Sequence, residues 1–406
     1  MSYSRPHVGL VGMDQWLGGA IYTQNLIKAL LRLPADERPR ITLFCRRNTA
    51  MFTEVTPLVD NVVVFESPLD KVFAGTKFAG IAQRIDYSAS AFLFGDVAPA
   101  LGRAAKREKI DAIFPVPDPY TRLTPNAIAW IPDLQHCAFP EHFTKLNRRV
   151  RDNRFSQLLR DANRHVVFSS QCALEHATSV YGTPRAQTHI LHFATVPLPE
   201  WFDDPAPVVA KYKLDTPFVI VCNQFWVHKD HITLFKGIAK LKQQGVKVNL
   251  VCTGPTKDPR QPEHFSNLQA QIKNLGIESQ VRILGVIPRI DQVALIRASE
   301  AVCQPSQFEG WSTVIEDARA LGKPLIASDF PVHLEQDIPG SHFFRMGDAD
   351  DFALTLTRFL QKGQAPVYSR SVHDARILEF ARDFLNIVDV SRGVVLPVRD
   401  AQPVAR

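Results

Sequence analysis

Short runs of consecutive apolar residues recur along the chain, each bounded by glycine, proline or charge. Residues 7–12 (HVGLVG), 40–45 (RITLFC), 62–65 (VVVF), 110–114, 127–131, 165–169 (HVVFS) and 190–193 are of this kind. Unbroken apolar runs of four to six residues fit strands covered on both faces. Between them the spacing changes to three and four. Residues 20–33 carry Ile21, Leu26, Ile27, Leu30 and Leu31 on one face. Residues 99–109 open on proline, whose missing N–H costs nothing at the first helical position, and 171–181 form a further helix. Strands alternating with helices predict a parallel sheet.

The pattern then pauses and restarts. Residues 196–207 hold four prolines and two aspartates, the composition of a linker. Strands are predicted again at 218–222 (FVIVC), 248–252, 281–284, 301–303 and 325–327. Helices are predicted at 231–244, 312–321, 350–360 and 372–388. The chain therefore divides into an amino-terminal domain (1–195), a linker (196–215), a carboxyl-terminal domain (216–390) and a tail (391–406). Its length of 406 residues also favours two domains over one. The fold class is α/β, two Rossmann-like parallel-sheet domains.

Composition removes other classes. No apolar run reaches the ~18 residues of a membrane span. The start, MSYSRPHVGLVG, shows neither an apolar signal core nor a cleavage site. Six scattered cysteines without a Cys-x-x-Cys pair predict reduced thiols in a cytoplasmic protein, with neither disulfide nor metal. The net charge of +6 suits an anionic partner. Residues 145–164 concentrate it, as Lys145, Arg148, Arg149, Arg151, Arg154, Arg160 and Arg164 against Asp152 and Asp161. This run is either a solvated helix face or a peripheral surface for anionic lipid headgroups or an acceptor diphosphate. It lacks the aromatic interleaving of a nucleic-acid surface.

Chemistry gathers in residues 304–336, QPSQFEGWSTVIEDARALGKPLIASDFPVHLEQ. A strand ends, a glycine-bearing loop follows (Phe308, Glu309, Gly310, Trp311), and a helix starts near Ser312 and Thr313. Gly322 and Pro324 stop that helix. The first N–H groups of a helix lack internal partners and suit a phosphate. Gly310 allows a close approach to the backbone. Glu309 and Asp317, eight residues apart, would repel a phosphate and belong instead on sugar or ribose hydroxyls. Thr313 and Glu316 are spaced as a capping box, in which Glu316 folds back onto the helix start; Glu316 and Asp317 are competing candidates for the second carboxylate.

This stretch, Glu309-Gly310-Trp311 through Asp317 with Ala320-Leu321-Gly322-Lys323-Pro324, resembles the Glu-x7-Glu signature of retaining, nucleotide-sugar-dependent glycosyltransferases of the GT-B fold, the glycogen-synthase and sucrose-synthase-like group. The resemblance implies two domains facing a cleft, with the donor mainly on the second and the acceptor mainly on the first. It implies that Glu309 lies by the transferred sugar and Asp317 by the ribose. Backbone N–H groups of Gly310, Trp311, Ser312 and Thr313 would then hold the distal phosphate. Lys229 stands where relatives place a diphosphate lysine, but the preceding arginine position is Gln224, beside Asn223. Gly18-Gly19 resembles the opening glycine loop that faces sugar and phosphates. Asp133 and His136 follow the strand at 127–131, where relatives carry a His-Asp element; the usual histidine position is Pro132. They either contact sugar or acceptor, or only pin the loop. Val286 and Ile287 would line the base, and the last helix would cross back to brace the first domain.

The reaction so implied moves a sugar from a nucleotide-diphosphate sugar to a saccharide or lipid-linked acceptor, with retention, in polysaccharide or glycolipid assembly. Cytoplasmic placement, possible peripheral membrane contact and no nucleic-acid partner complete it. No cofactor is expected. Asp348-Ala349-Asp350 precedes a helix and reads as a cap, not a metal motif. Two rivals keep the fold: a nucleotide-sugar epimerase and a non-catalytic carbohydrate-binding scaffold. A dehydrogenase is disfavoured because no Gly-x-Gly-x-x-Gly follows the first strand.

Overall fold

The computed structural model describes residues 5–13, 17–46, 49–65, 99–116, 126–258, 260–362 and 369–394. Among these residues two sheets form. The first takes strands β1 (His7–Val11), β2 (Arg40–Arg46), β3 (Asn61–Phe65), β4 (Ala112–Val116), β5 (Ala127–Ile131), β6 (His165–Phe168) and β7 (Gln187–Ile190), in the order β3-β2-β1-β4-β5-β6-β7. The second takes β8 (Phe218–Cys222), β9 (Asn249–Thr253), β10 (Val281–Gly285), β11 (Val302–Gln304), β12 (Leu325–Ser328) and β13 (Ser341–Phe344), in the order β10-β9-β8-β11-β12-β13. Every strand pair is parallel. The chain is α/β with two Rossmann-like domains.

The central strands are apolar throughout because both faces are covered: all five residues of β1, β4, β5 and β8 are buried. Edge strands read differently. In β7 (QTHI) and β13 (SHFF) only Phe344 is buried. The strand expected at 190–193 therefore lies three residues earlier: Leu191 and Phe193 are buried, but they follow the end of β7. For the same reason β13 was not anticipated.

Each sheet reverses its winding once. In the first the reversal lies between β1 and β4, in the second between β8 and β11. Loops leaving the carboxyl ends of two such strands diverge and open a crevice, which is where ligands bind in open α/β sheets.

The last helix, Arg370–Ser391, places Ile377, Phe380, Phe384 and Val388 in the core of the first sheet with Tyr22, Phe114 and Trp130. The stretch between the sheets is packed, not loose. Trp201 is buried against β8 and the helix Arg289–Ala298, and a short helix, Ala206–Lys211, follows it. The helices His264–Asn274 and Arg289–Ala298 were not anticipated from the pattern.

Candidate active site

The crevice of the second sheet is built by the loops after β8 and β11. The first carries Lys229, on a single 3-10 turn (Val227–Lys229), and the second carries Glu309. Lys229 Nζ donates to Glu309 Oε1 at 2.5 Å, and Gln304 Nε2 donates to the same oxygen at 2.7 Å. Both charged side chains are nearly closed off, 12% and 11% exposed. A cation and a carboxylate from loops eighty residues apart thus meet at the switch point of the sheet. Nearby, His228 is pushed down to about 2 by burial and by the Lys229 and Arg260 charges, so its ring is neutral. His333 is held down to about 4, mainly by burial.

The helix after Glu309 runs Thr313–Ala320, with Ser312 as N-cap: its Oγ accepts from Ile315 N. This corrects the expected capping box. With Ser312 at the cap, Ile315 rather than Glu316 stands at the third position. Glu316 is wholly buried; it accepts from Gln336 Nε2 (3.1 Å) and Arg319 Nε (3.2 Å). Ser312 N–H is already taken by Gln336 Oε1 at 2.6 Å. Of the two helix-start groups expected to meet a phosphate, Thr313 N–H therefore remains, with Val314 N–H beside it. Gln336 and Gln304 were missed in the sequence because a lone glutamine carries no spacing signal.

Asp317 is also buried, and one of its two oxygens is engaged within the protein, while Oδ2 has no partner among the described atoms. Oδ1 accepts from Arg289 Nη2 at 2.5 Å and from Thr195 Oγ1 at 3.0 Å. Arg289 in turn lies over the Trp201 ring, 4.9 Å from its centroid. The carboxylate is one methylene shorter than glutamate and is held in the interior, joining the two domains through Thr195.

Trp311 also points into the interface. Its indole stacks on His192, centroids 4.3 Å apart, and donates to Phe193 O at 3.3 Å. The side chain belongs to the first domain's core, so only its backbone is free to meet a donor. At Gly310 a Cβ would lie 2.0 Å from Pro132 O and 3.1 Å from Asp133 Cβ. The close approach that this glycine permits is to the first domain's own backbone. Asp133 is consequently beside the Glu309 loop, half-buried, and its Oδ1 accepts from Gln135 N.

His136 does not join them. Its ring is closed from solvent and faces Asp152 Oδ1 (3.1 Å) and Tyr181 OH (3.2 Å), against Phe155. In this position the ring pins its loop and does not open onto the cleft. The residue that does reach across is Gln135: its Nε2 is 2.9 Å from His228 Nε2, and its Oε1 accepts from Arg260 Nη1 at 3.0 Å. Gly18 and Gly19 lie in the first turn of the helix Leu17–Arg32, not in a loop; residues 14–16 of the expected loop fall outside the described residues. Gln224 is half-buried beside Phe225. Val286 is 73% exposed, whereas Ile287 packs against the second domain's core.

The domains meet through one more charged contact. Glu335 Oε1 accepts from Gln171 N (2.6 Å) and lies 2.8 Å from His192 Nε2, and Oε2 accepts from Cys172 N (3.0 Å). Burial acts to raise its pKa, but these bonds outweigh it and hold the carboxyl down to about 2.

Residues 207–372 match the family described as glycosyl transferases group 1. The D-inositol 3-phosphate glycosyltransferase of Corynebacterium efficiens is 31% identical over 98 residues, 23% of this chain and 22% of that protein. Its namesake from Mycobacterium sp. (strain KMS) is 31% identical over 112 residues, 27% of this chain and 25% of that protein. The matches thus span about a quarter of the length of these curated relatives. HepE of Anabaena, solved in complex with UDP and glucose, aligns over 95% of this chain and 100% of its own, with TM-score 0.70 and 18% identity. The sucrose-phosphate synthase of Thermosynechococcus elongatus aligns over 95% and 96%, with TM-score 0.64 and 15% identity. At these identities the likeness is one of fold. Residues 207–372 thus carry the match to the glycosyl transferases group 1, and the chain has the two-domain GT-B fold that it shares with these solved structures.

Proposed function

We propose that the protein transfers a sugar from a nucleotide-diphosphate sugar to a saccharide or lipid-linked acceptor, with retention, in polysaccharide or glycolipid assembly. The observation that carries this reading is the Lys229–Glu309 pair at the second sheet's switch point. In glycosyl transfer, negative charge builds on the departing diphosphate while positive charge builds on the sugar. Lys229 and the N–H groups of Thr313 and Val314 are suited to the first, and Glu309 to the sugar side. Fixed groups of this kind stabilise the transition state without reorganising. Because Gln224 stands where relatives carry a cation, the helix start takes a larger share. UDP is the first nucleotide to test, since HepE is described with UDP and glucose.

The acceptor belongs on the first domain's side, past Asp133. The helix Lys145–Arg160 supports a lipid-linked acceptor. It exposes Leu146 and Val150 among Lys145, Arg149 and Arg151, a basic face with apolar residues that can enter a headgroup layer. No helix among the described residues is long and apolar enough to cross a membrane.

The test is thermal unfolding with UDP, GDP, ADP and dTDP, on wild type and Lys229→Ala. A nucleotide at about 100 times its dissociation constant stabilises by about 2.7 kcal/mol. One nucleotide is expected to raise the midpoint, and Lys229→Ala to remove the rise. If no nucleotide shifts the wild type, the donor site is refuted. Turnover of the matching nucleotide sugar without acceptor would instead identify an epimerase.

A further inference from the structure

Four polar atoms converge in the first domain, apart from the Lys229–Glu309 pair. His136 and Cys137 lie on the one-turn helix Gln135–Ala138, Asp152 on the helix Lys145–Arg160, and Tyr181 ends the helix Gln171–Tyr181. His136 Nε2 is 3.1 Å from Asp152 Oδ1 and 3.2 Å from Tyr181 OH. Cys137 Sγ is 3.4 Å from His136 Nε2, 3.9 Å from Asp152 Oδ1 and 3.7 Å from Tyr181 OH. Tyr181 OH donates to Asp152 Oδ1 at 2.8 Å.

These are the six edges of a single tetrahedron. Edges of this length put its centre roughly 2 Å from every corner, the length of a zinc bond to nitrogen or oxygen, with about 2.3 Å to sulfur. The shape agrees in detail as well. The three edges that meet sulfur are the longest and the three between nitrogen and oxygen the shortest, as the longer metal–sulfur bond requires. In the absence of a cation Tyr181 O–H and Cys137 S–H both donate to Asp152 Oδ1, so three elements converge on one carboxylate oxygen.

We propose that His136, Cys137 and Asp152 bind one zinc-class divalent cation, with the Tyr181 hydroxyl or a water at the fourth corner. Sulfur, imidazole and carboxylate in a tetrahedron are a donor set for zinc rather than magnesium or calcium. Binding displaces the Cys137 thiol proton to solvent. Thiolate and carboxylate then neutralise the cation, so the half-buried site holds no net charge. His136 Nδ1 has no partner among the described atoms, so the site lacks the outer hydrogen bond that usually tightens a histidine ligand. The cation would join three helices. One of them carries Gln135, which bonds His228 and Arg260 of the other domain. The cysteine count gave no hint of this, because Asp152 lies fifteen and sixteen residues beyond the adjacent Cys137 and His136.

The test uses the full-length protein freed of metal by a chelator, then titrated with Zn2+ by calorimetry and with Co2+ by absorption. One equivalent is expected to bind, and Co2+ to give the near-ultraviolet band of a thiolate ligand. Loss of an outer partner alone typically costs 10–100-fold, so Cys137→Ala is expected to weaken zinc at least ~100-fold and to abolish the band. Asp152→Asn should weaken zinc and keep the band. A wild type that gives no thiolate band with stoichiometric Co2+ overturns the proposal, whatever the variants do. So does zinc affinity unchanged in Cys137→Ala, which would place the ion on other histidines.

Discussion

Glu335→Gln tests how the two domains are held in register. Glu335 of the second domain accepts from the first two N–H groups of the helix Gln171–Tyr181 and from His192. Its carboxyl falls from the ordinary 4.5 to about 2 on folding. That difference is worth about 3 kcal/mol when the carboxylate is charged in both states. The folded pKa lies below the unfolded one, so the unfolded chain takes up the proton first as the pH drops. The contribution is present in full above about 4.5 and fades toward about 2, with more than half gone by about pH 3. Glutamine keeps an acceptor oxygen but no charge, and cannot titrate. Urea midpoints for wild type and variant, followed by tryptophan fluorescence from pH 7 to 3, read the difference. It should be about 1–3 kcal/mol at neutral pH, the range for hydrogen bonds to a charged group, and should shrink steadily below 4.5. A gap that stays constant across this range would show that the carboxylate is not charged and paired as described.

Three further substitutions separate structure from chemistry. Gly310→Ala puts a methyl group 2.0 Å from Pro132 O and pushes the two loops apart by about 1 Å; stability should fall by about 1–3 kcal/mol, and donor turnover by about 100-fold, since a misplacement of that size spoils positioning. Wild-type turnover in this variant would show that the Pro132 contact does not matter. Asp317→Ala leaves Arg289 beside Trp201 without its carboxylate, and should cost about 3 kcal/mol in the absence of any nucleotide; an unchanged midpoint would return Asp317 to a ligand role. Phe352→Ala empties a fully buried position in the second core, at an expected 3–5 kcal/mol by denaturant titration.

Much of the sheet framework was legible because a strand covered on both faces must be apolar throughout. β5, β8 and the helix Gln171–Tyr181 have the bounds that their composition suggests. Edge strands escape the same logic, as β7 and β13 show: one face or one side meets water, so the apolar signal thins. The Lys229–Glu309 juxtaposition follows from strand order, since β8 and β11 are neighbours across the reversal. What stayed hidden was direction. Trp311, His136 and Asp317 lie close in sequence to the expected places, yet their side chains turn inward to Phe193, Asp152 and Arg289. Spacing fixes which loop a residue sits on, but rotamer and depth are decided by what packs against it. Gln304 and Gln336 illustrate the converse. Each organises charged neighbours through amide hydrogen bonds that leave no pattern along the chain.

On the proposed reading, the Lys229–Glu309 bond must open when a donor enters. The exchange is favourable in principle. A diphosphate carries more negative charge than the single carboxylate it replaces on Lys229, and charge-assisted bonds in a secluded site are the strong ones. Glu309 is then released from the lysine, with Oε2 free to accept from sugar hydroxyls, while Gln304, which donates to Oε1 and to Ser312 Oγ, keeps it near the helix start. A carboxylate that shields the lysine before binding also keeps the site from trapping stray anions, because any anion must outcompete Glu309. Glu309→Gln removes that competition without shortening the side chain. It should therefore tighten inorganic pyrophosphate while slowing sugar transfer. Weaker pyrophosphate binding in this variant would show that Glu309 helps hold the anion rather than guarding the cation.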